Sequence, residues 1–554
     1  MYNTVMIINR YFKVIILVVF VAIALIGLKA VDDGAIAVDD EAQRLHSLYS
    51  YEYINERLFG RSVPELGDYR NYLEYSGRNY GTFIQMPMVL IEDLNDFQLD
   101  VVEIYTMRHQ FVFFFYLAAL IFFYFLSKRL FSSLIESESR KRWISLAGVL
   151  MMFLFSRYFA ASTYDVKNLA FSAFFIIALY FMVRFLQDRK WGPCILFCIF
   201  CAIAMNIRMA GLLLIPAILI FILVEDIVNR KSRSDKSFIQ KLFPYIFIVI
   251  VCALVFYLIT PAMWGEPIQQ LKLMINDSVN FDRWDGRMIF GGELIRQEEM
   301  PWYYLPVWMG ITIPVYILFF FILGTVFLVK TLIKERFAGF FRIRFFWLIW
   351  ILFLIPLLLQ IFGFVQIYGG WQHVYFLFVP LLLVAMHGII GLYEVFEKQK
   401  TRHRFNCLVV PVIVIAGLII SGMQIATNYP FAGSLFNAIG TPIAKNFDRT
   451  ARLNGELACL EYILKHFPDK ELSIAFTQGV GPLIYFSGAS EYDIERIRIV
   501  QDKDESTDFY WQTYRYIIGN TYEREGYTEV FSIWIDNSFK VGTLYIRDDF
   551  PLKQ

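Results

Sequence analysis

Eleven stretches of the chain are apolar over the length a bilayer demands, and this limits the fold before anything else does. A helix needs about 20 mostly apolar residues to cross the hydrocarbon. The runs are 12–28, 111–131, 143–157, 168–186, 191–206, 209–224, 243–260, 308–329, 345–362, 373–393 and 406–425, with the third and fifth the shortest. Lipid offers backbone groups no hydrogen-bond partners, so spans of this length must be helical. The expected fold class is a polytopic α-helical membrane protein of about 11 transmembrane helices, occupying residues 1–427, with residues 428–554 as a separate soluble domain. Arg10 and Lys13 precede the first run and no small-residue cleavage pattern follows it. It therefore reads as a retained span, not a removed signal.

Composition agrees. Hydrophobic residues are 57% and charged residues 18% of the 554, and mean hydropathy is +0.50. These values exclude a disordered chain and depart from soluble multidomain proteins. The net charge of +1 gives no global excess for nucleic acid, so no nucleic-acid partner is expected. Six cysteines are too few for a disulfide scaffold, and all but Cys459 lie in apolar runs.

The near-zero net charge hides a strong sidedness. With the N-terminus in the cytoplasm, the inside segments are 1–13, 127–142, 184–190, 225–242, 330–344 and 394–405. They hold 24 of the 51 Lys and Arg but nine of the 50 Asp and Glu. The positive-inside rule then fixes a cytoplasmic N-terminus. It puts three large pieces outside: loops of about 29–110 and 261–307, and the tail 428–554. In the first loop 40–59 is helix-like and 68–80 is a Tyr-rich turn. In the tail 457–467 reads as a helix and 481–486 as an apolar turn or helix. Strands are expected at 472–477, 494–500, 514–518 and 530–535, giving a small extracytoplasmic α/β domain.

Nucleotide-binding glycine motifs, H-E-x-x-H and zinc-type Cys/His spacing are all missing. The unusual polar residues instead gather at the outer ends of the spans. Asp32, Asp33, Asp39, Asp40 and Glu41 follow the first span, and Arg108 and His109 open the second. Arg157 and the run Tyr164, Asp165, Val166, Lys167, Asn168 join spans three and four. Arg208 sits between spans five and six, and Gly369, Gly370, Trp371, Gln372, His373 open span ten. Each has a plain reading. Acids favour helix starts, Arg108 and Lys167 can snorkel, a lone His109 or His373 is more often structural, and Trp371 suits an interfacial belt. Their co-location on one membrane face is what favours function, because ionisable groups there are costly unless paired or used. Acids and cations together suit a phosphate-bearing, partly lipidic substrate.

The order of these motifs resembles GT-C-type membrane glycosyltransferases, in the family 39-like branch of protein O-mannosyltransferases and lipid A aminoarabinose transferases. The resemblance covers roughly residues 10–400. It rests on Asp40-Glu41 followed by Tyr49 and Tyr51, on Tyr105-Thr106-Met107-Arg108-His109, and on Phe155-Ser156-Arg157-Tyr158-Phe159 leading to Asp165-Val166-Lys167-Asn168. Met300-Pro301-Trp302-Tyr303-Tyr304 and Gly370-Trp371-Gln372-His373 complete the set. Relatives often read Asn-Pro-Lys-Asp where this chain has Asp165-Val166-Lys167-Asn168, and Arg where Gln372 stands.

The resemblance implies transfer of a sugar from a polyprenyl-phosphate carrier to an acceptor protein, lipid or glycan on the outer face of a cell membrane, in a bacterial host. It makes Asp40 the base or acceptor-orienting carboxylate, with Asp39 and Glu41 as substitutes. It makes Lys167, Arg108, His373 and Arg208 the donor phosphate ligands, and His109, Trp371 and Gln372 substrate contacts. Asp165 is expected to orient the acceptor or, with Asp40, to hold a divalent cation, Mg2+ or Mn2+. Two other classes compete: a secondary transporter, and a non-catalytic membrane receptor or assembly factor. Transporters carry their ions near the midplane on repeated, broken helices, whereas here span interiors hold few charges and no repeat is evident.

Overall fold

A computed structural model describes residues 11–228, 238–279, 286–398, 406–449, 454–468, 470–477, 483–500 and 506–551. Among them nine helices are long and apolar enough to cross a membrane, and the chain is a polytopic helical membrane protein with a C-terminal α/β domain. The two shortest expected runs form helices too short for that group, Glu138–Phe153 and Trp191–Ile207, of 16 and 17 residues.

Burial sorts the helices. The Asn168–Asp188 and Gln372–Lys398 segments are 89% buried over their apolar windows, against 22% for Phe12–Asp32. The first two form the bundle centre, and the third presents its side chains outward. Gly324 and Gly388 let the Val315–Arg342 and Phe378–Lys398 helices touch backbone to backbone. A Cβ on Gly324 would lie 2.0 Å from the Val384 carbonyl oxygen, and one on Gly388 2.0 Å from that of Phe320. Small residues at a membrane helix crossing allow such contact, and van der Waals packing then holds the pair.

Two spans begin elsewhere than expected, each for a local reason. The second runs Val101–Leu130, because Asp100 and Glu103 form a capping box ahead of the apolar run: Asp100 Oδ1 accepts from Glu103 N at 2.8 Å, and Glu103 Oε2 from Asp100 N at 3.1 Å. Arg108 and His109 therefore sit inside that helix. The run at 308–329 divides at Pro314 into Tyr304–Thr312 and Val315–Arg342, since proline has no N–H to continue the first helix.

The first loop contains the helices Asp40–Ile54 and Met86–Leu94. The second contains a hairpin, strands β1 (Arg287–Phe290) and β2 (Glu293–Arg296), turned by Gly291 and Gly292 at φ 64° and 88°. In the tail, helix Asn454–His466 precedes a five-stranded sheet of β3 (Leu472–Phe476), β4 (Ile497–Val500), β5 (Phe509–Thr513), β6 (Tyr527–Ile535) and β7 (Phe539–Arg547), in the order β4-β3-β5-β7-β6. β3 pairs in parallel with β4 and β5, while β7 is antiparallel to β5 and β6.

Two tail strands are corrected. The first half of 494–500 belongs to helix Glu491–Arg496, which Ser490 and Asp493 start with a capping box. The 514–518 segment is a turn, Tyr514–Tyr516, whose following carbonyls at Ile517 and Gly519 accept from Arg449 instead of a neighbouring strand. Residues 481 and 482 of the expected 481–486 element lie outside the described residues; Leu483–Phe486 is helical.

Candidate active site

A cavity of about 290 Å³ opens at the end of the bundle where the first loop, the 156–168 segment, the 368–375 segment and the tail meet. Of the residues given a site role from the sequence, Asp39, Asp40, Asp165, Lys167, Arg208, Gln372 and His373 line it. Residues far apart in sequence are thus brought to one wall.

Asp40 is the first residue of helix Asp40–Ile54 and is buried. Its Oδ2 accepts from Ala37 N at 2.6 Å and lies 2.8 Å from His109 Nε2. His109 is itself buried on the Val101–Leu130 helix and lines a small recess that adjoins the cavity at Asp40. Asp39, the preceding residue, is exposed on the cavity wall. Glu41 is exposed and is not part of the lining.

Asp165 is committed to the start of the next helix. Its Oδ1 accepts from Lys167 N at 3.1 Å and Asn168 N at 2.6 Å, and its Oδ2 from Asn168 Nδ2 at 2.9 Å. Asn168 Oδ1 in turn accepts from Arg208 Nη2. Burial pushes the Asp165 carboxyl up, opposed by the Asn168 hydrogen bonds and the Arg208 charge. Burial likewise pulls Arg208 down, opposed first by Asp165. The result is a relay in which Asp165 fixes Asn168 and Asn168 aims a guanidinium at the cavity. Lys167 Nζ stands 3.6 Å from the centroid of the Tyr80 ring, a cation–π contact that holds it over the wall. His373 packs edge-on to Tyr368 at 4.3 Å and lies within electrostatic reach of Arg208 and Lys167.

Two expected contacts lie behind the wall. Arg108 is buried and paired: Nε and Nη2 donate to Glu92 Oε1 at 2.9 and 2.7 Å, Nη2 to Ser47 Oγ at 3.1 Å, and Nη1 to Gln85 Oε1 at 3.3 Å. Arg44 Nε takes the other Glu92 oxygen at 2.9 Å. The carboxylate so buckles three helices together, and Arg108 is absent from the main cavity lining. Trp371 is 1% exposed and donates from Nε1 to Thr312 Oγ1 at 3.0 Å, which makes it packing for the Gly369–Gly370 turn.

Asp40 and Asp165, considered for a divalent ion, are each held by N–H donors. Among the described residues no three His, Cys, Asp or Glu side chains group as a metal site requires. The residues do not fit such an ion.

Several cavity residues escaped the site assignment made from the sequence. Arg157 lies 5.6 Å from the Trp308 ring and 5.4 Å from Phe436, with Nε and Nη2 buried and without a hydrogen-bond partner among the described residues. Tyr368 precedes the Gly369–Gly370 turn, and Asp448, Asn454 and Arg515 arrive from the tail. Arg157 had already stood out as a polar residue at a span end. The tail residues carry no local signal.

A family model described as dolichyl-phosphate-mannose-protein mannosyltransferase matches residues 109–264. No curated protein matches the chain. Among solved structures, ArnT from Cupriavidus metallidurans bound to undecaprenyl phosphate is similar at a TM-score of 0.42 and 12% identity, over 95% of this chain and 97% of that one. The oligosaccharyltransferase of Archaeoglobus fulgidus in complex with Zn and sulfate gives a TM-score of 0.45 and 12% identity, over 88% of this chain and 62% of that one. Over residues 109–264, which include His109, Asp165, Lys167 and Arg208, the family model bears out the resemblance read from the motifs.

Proposed function

We propose that the chain is a membrane glycosyltransferase that moves a sugar from a polyprenyl-phosphate donor to an acceptor hydroxyl on the extracytoplasmic face, with inversion at the sugar carbon. The observation that carries this reading is the cavity in which Asp40, paired from behind by His109, is combined with Lys167 and Arg208 at the end of a membrane bundle. The charge sidedness of the loops supports a cytoplasmic N-terminus, which puts that end of the bundle and the tail outside.

In this reading the Asp40 carboxylate orients the acceptor hydroxyl and takes its proton as the oxygen attacks the sugar carbon. The bond from that carbon to the donor phosphate oxygen breaks, and the charge that grows on the departing lipid phosphate is met by Lys167 and Arg208. His109 holds Asp40 in place, and Asp165 positions Arg208 through Asn168. Gln372 and His373 line the space left for the sugar. Asp39, exposed beside Asp40, is the competing base.

The test is transfer by purified protein in detergent, with a polyprenyl-phosphate sugar as donor and the variants Asp40→Asn and Asp39→Asn. The proposal expects loss of transfer in the first and activity within a few-fold of wild type in the second. Intact transfer in Asp40→Asn refutes the assignment of the base. Uptake of a solute into sealed vesicles, with no transfer, puts the chain among transporters.

A further inference from the structure

The tail supplies part of the cavity wall through Asp448, Asn454 and Arg515, and its attachment there is firm. Asn437 Nδ2 donates to the Gly310 and Ile313 carbonyls at 2.7 and 2.6 Å. Asp448 N donates to Ile289 O at 3.0 Å, and Asn454 Oδ1 accepts from Ala35 N at 3.0 Å. Within the tail, Gly519 N donates to Lys445 O at 3.0 Å. Arg449 is 2% exposed and stitches the connecting segment to the sheet. It donates to the carbonyls of Lys540 at 3.0 Å and Gly519 at 2.8 Å, and its guanidinium stacks 5.3 Å from the Tyr514 ring.

Tyr514, fully buried, is the residue before Arg515. The backbone that presents Arg515 is therefore fixed on one side by β5 and Tyr514, and on the other by the carbonyls spent on Arg449. Arg515 lines the same cavity as Lys167, Arg208 and Tyr368. It thus joins the cations already assigned to the donor phosphate, from the opposite part of the chain. A guanidinium is suited to this place, because its planar fork matches phosphate oxygens two at a time.

We propose that Arg515 is a donor-binding residue: the C-terminal domain completes the anion site, and its guanidinium holds an oxygen of the lipid phosphate together with Lys167 and Arg208. This rests on the transferase reading. It makes the tail a resident part of the donor site, beyond any role as a cover or a docking platform for acceptors. Arg515 lies outside the 109–264 segment that matches the family model.

The experiment uses full-length wild type, Arg515→Ala and Arg515→Lys in detergent, with binding of polyprenyl phosphate and the KM for each substrate as readouts. Arg515→Ala is expected to weaken polyprenyl phosphate binding by roughly tenfold or more, the loss of one charge-assisted contact, and to leave the acceptor KM unchanged. Arg515→Lys is expected to fall between. Unchanged polyprenyl phosphate affinity in Arg515→Ala overturns the inference, and so does a rise confined to the acceptor KM. If Arg515→Ala does not fold, Arg515→Gln takes its place with the same criteria. Wild type that binds no polyprenyl phosphate defeats the transferase reading itself. Wild type and Arg515→Ala that bind it equally well defeat only this inference.

Discussion

His109 Nε2 stands 2.8 Å from Asp40 Oδ2, joining the second span to the first residue of the loop helix beside the cavity. A carboxylate held by one imidazole and one backbone N–H keeps a fixed direction, which a base requires. Asp40→Asn is expected to lower kcat by about 10²–10⁴, the usual worth of a positioned base. His109→Ala is expected to act in the same direction but less, since it frees Asp40 without removing it. Steady-state kinetics on both variants, with thermal unfolding as a control, checks this order.

The cations divide into two kinds. Lys167→Ala and Arg208→Ala are each expected to raise the donor KM about tenfold or more, while their unfolding midpoints stay near wild type. Arg108→Met is expected to do the reverse. It leaves Glu92 buried beside Arg44 alone, and breaking a buried pair costs about 3–5 kcal/mol. Donor titration and thermal unfolding on the three proteins separate the outcomes. A donor effect from Arg108→Met without loss of stability goes against the structural role given to it.

Arg108 also marks where sequence reading stops. Its place beside His109 made both look like parts of a site, yet neighbours on a helix point in different directions, and only His109 reaches Asp40. The decisive partner, Glu92, sits in a short amphipathic helix with no signal of its own. Asp165 was legible as important but not as a helix start, because its hydrogen bonds to Lys167 and Asn168 depend on local backbone turning. The spans were legible almost throughout, since apolar length alone decides them. The tail strand β7 was not, because Asp536 and Asn537 make a tight hairpin turn, at φ 49° and 51°, that strand-by-strand pattern reading passed over.

The crossing of Gly324 and Gly388 gives a packing test. Gly388→Ala places a methyl 2.0 Å from the Phe320 carbonyl, so the two helices must part. Overpacking of this kind costs typically about 1–3 kcal/mol. Gly422→Ala, whose Cβ meets only Leu154 at 3.9 Å, is expected to be neutral. Unfolding midpoints in one detergent check the pair.

Glu456 in the tail helix is 3% exposed, and burial lifts its carboxyl to about 7, against opposing hydrogen bonds and the charge of Arg515. A carboxyl held above its unfolded value binds more protons folded than unfolded. Stability therefore falls as pH rises from the unfolded value near 4.5 through about 7. The total loss is roughly 3 kcal/mol at 1.36 kcal/mol per unit. Glu456→Gln is expected to flatten that part of the curve. Domain unfolding followed by tryptophan fluorescence between pH 5 and 8, with and without the substitution, is the check.

The most direct test of the account is mass spectrometry of lipids that co-purify with the full-length protein in mild detergent, comparing wild type with Asp40→Asn. A polyprenyl-phosphate sugar is expected to accumulate on Asp40→Asn, because the donor still binds between Lys167 and Arg208 while transfer is blocked. Absence of any isoprenoid phosphate from both proteins contradicts it.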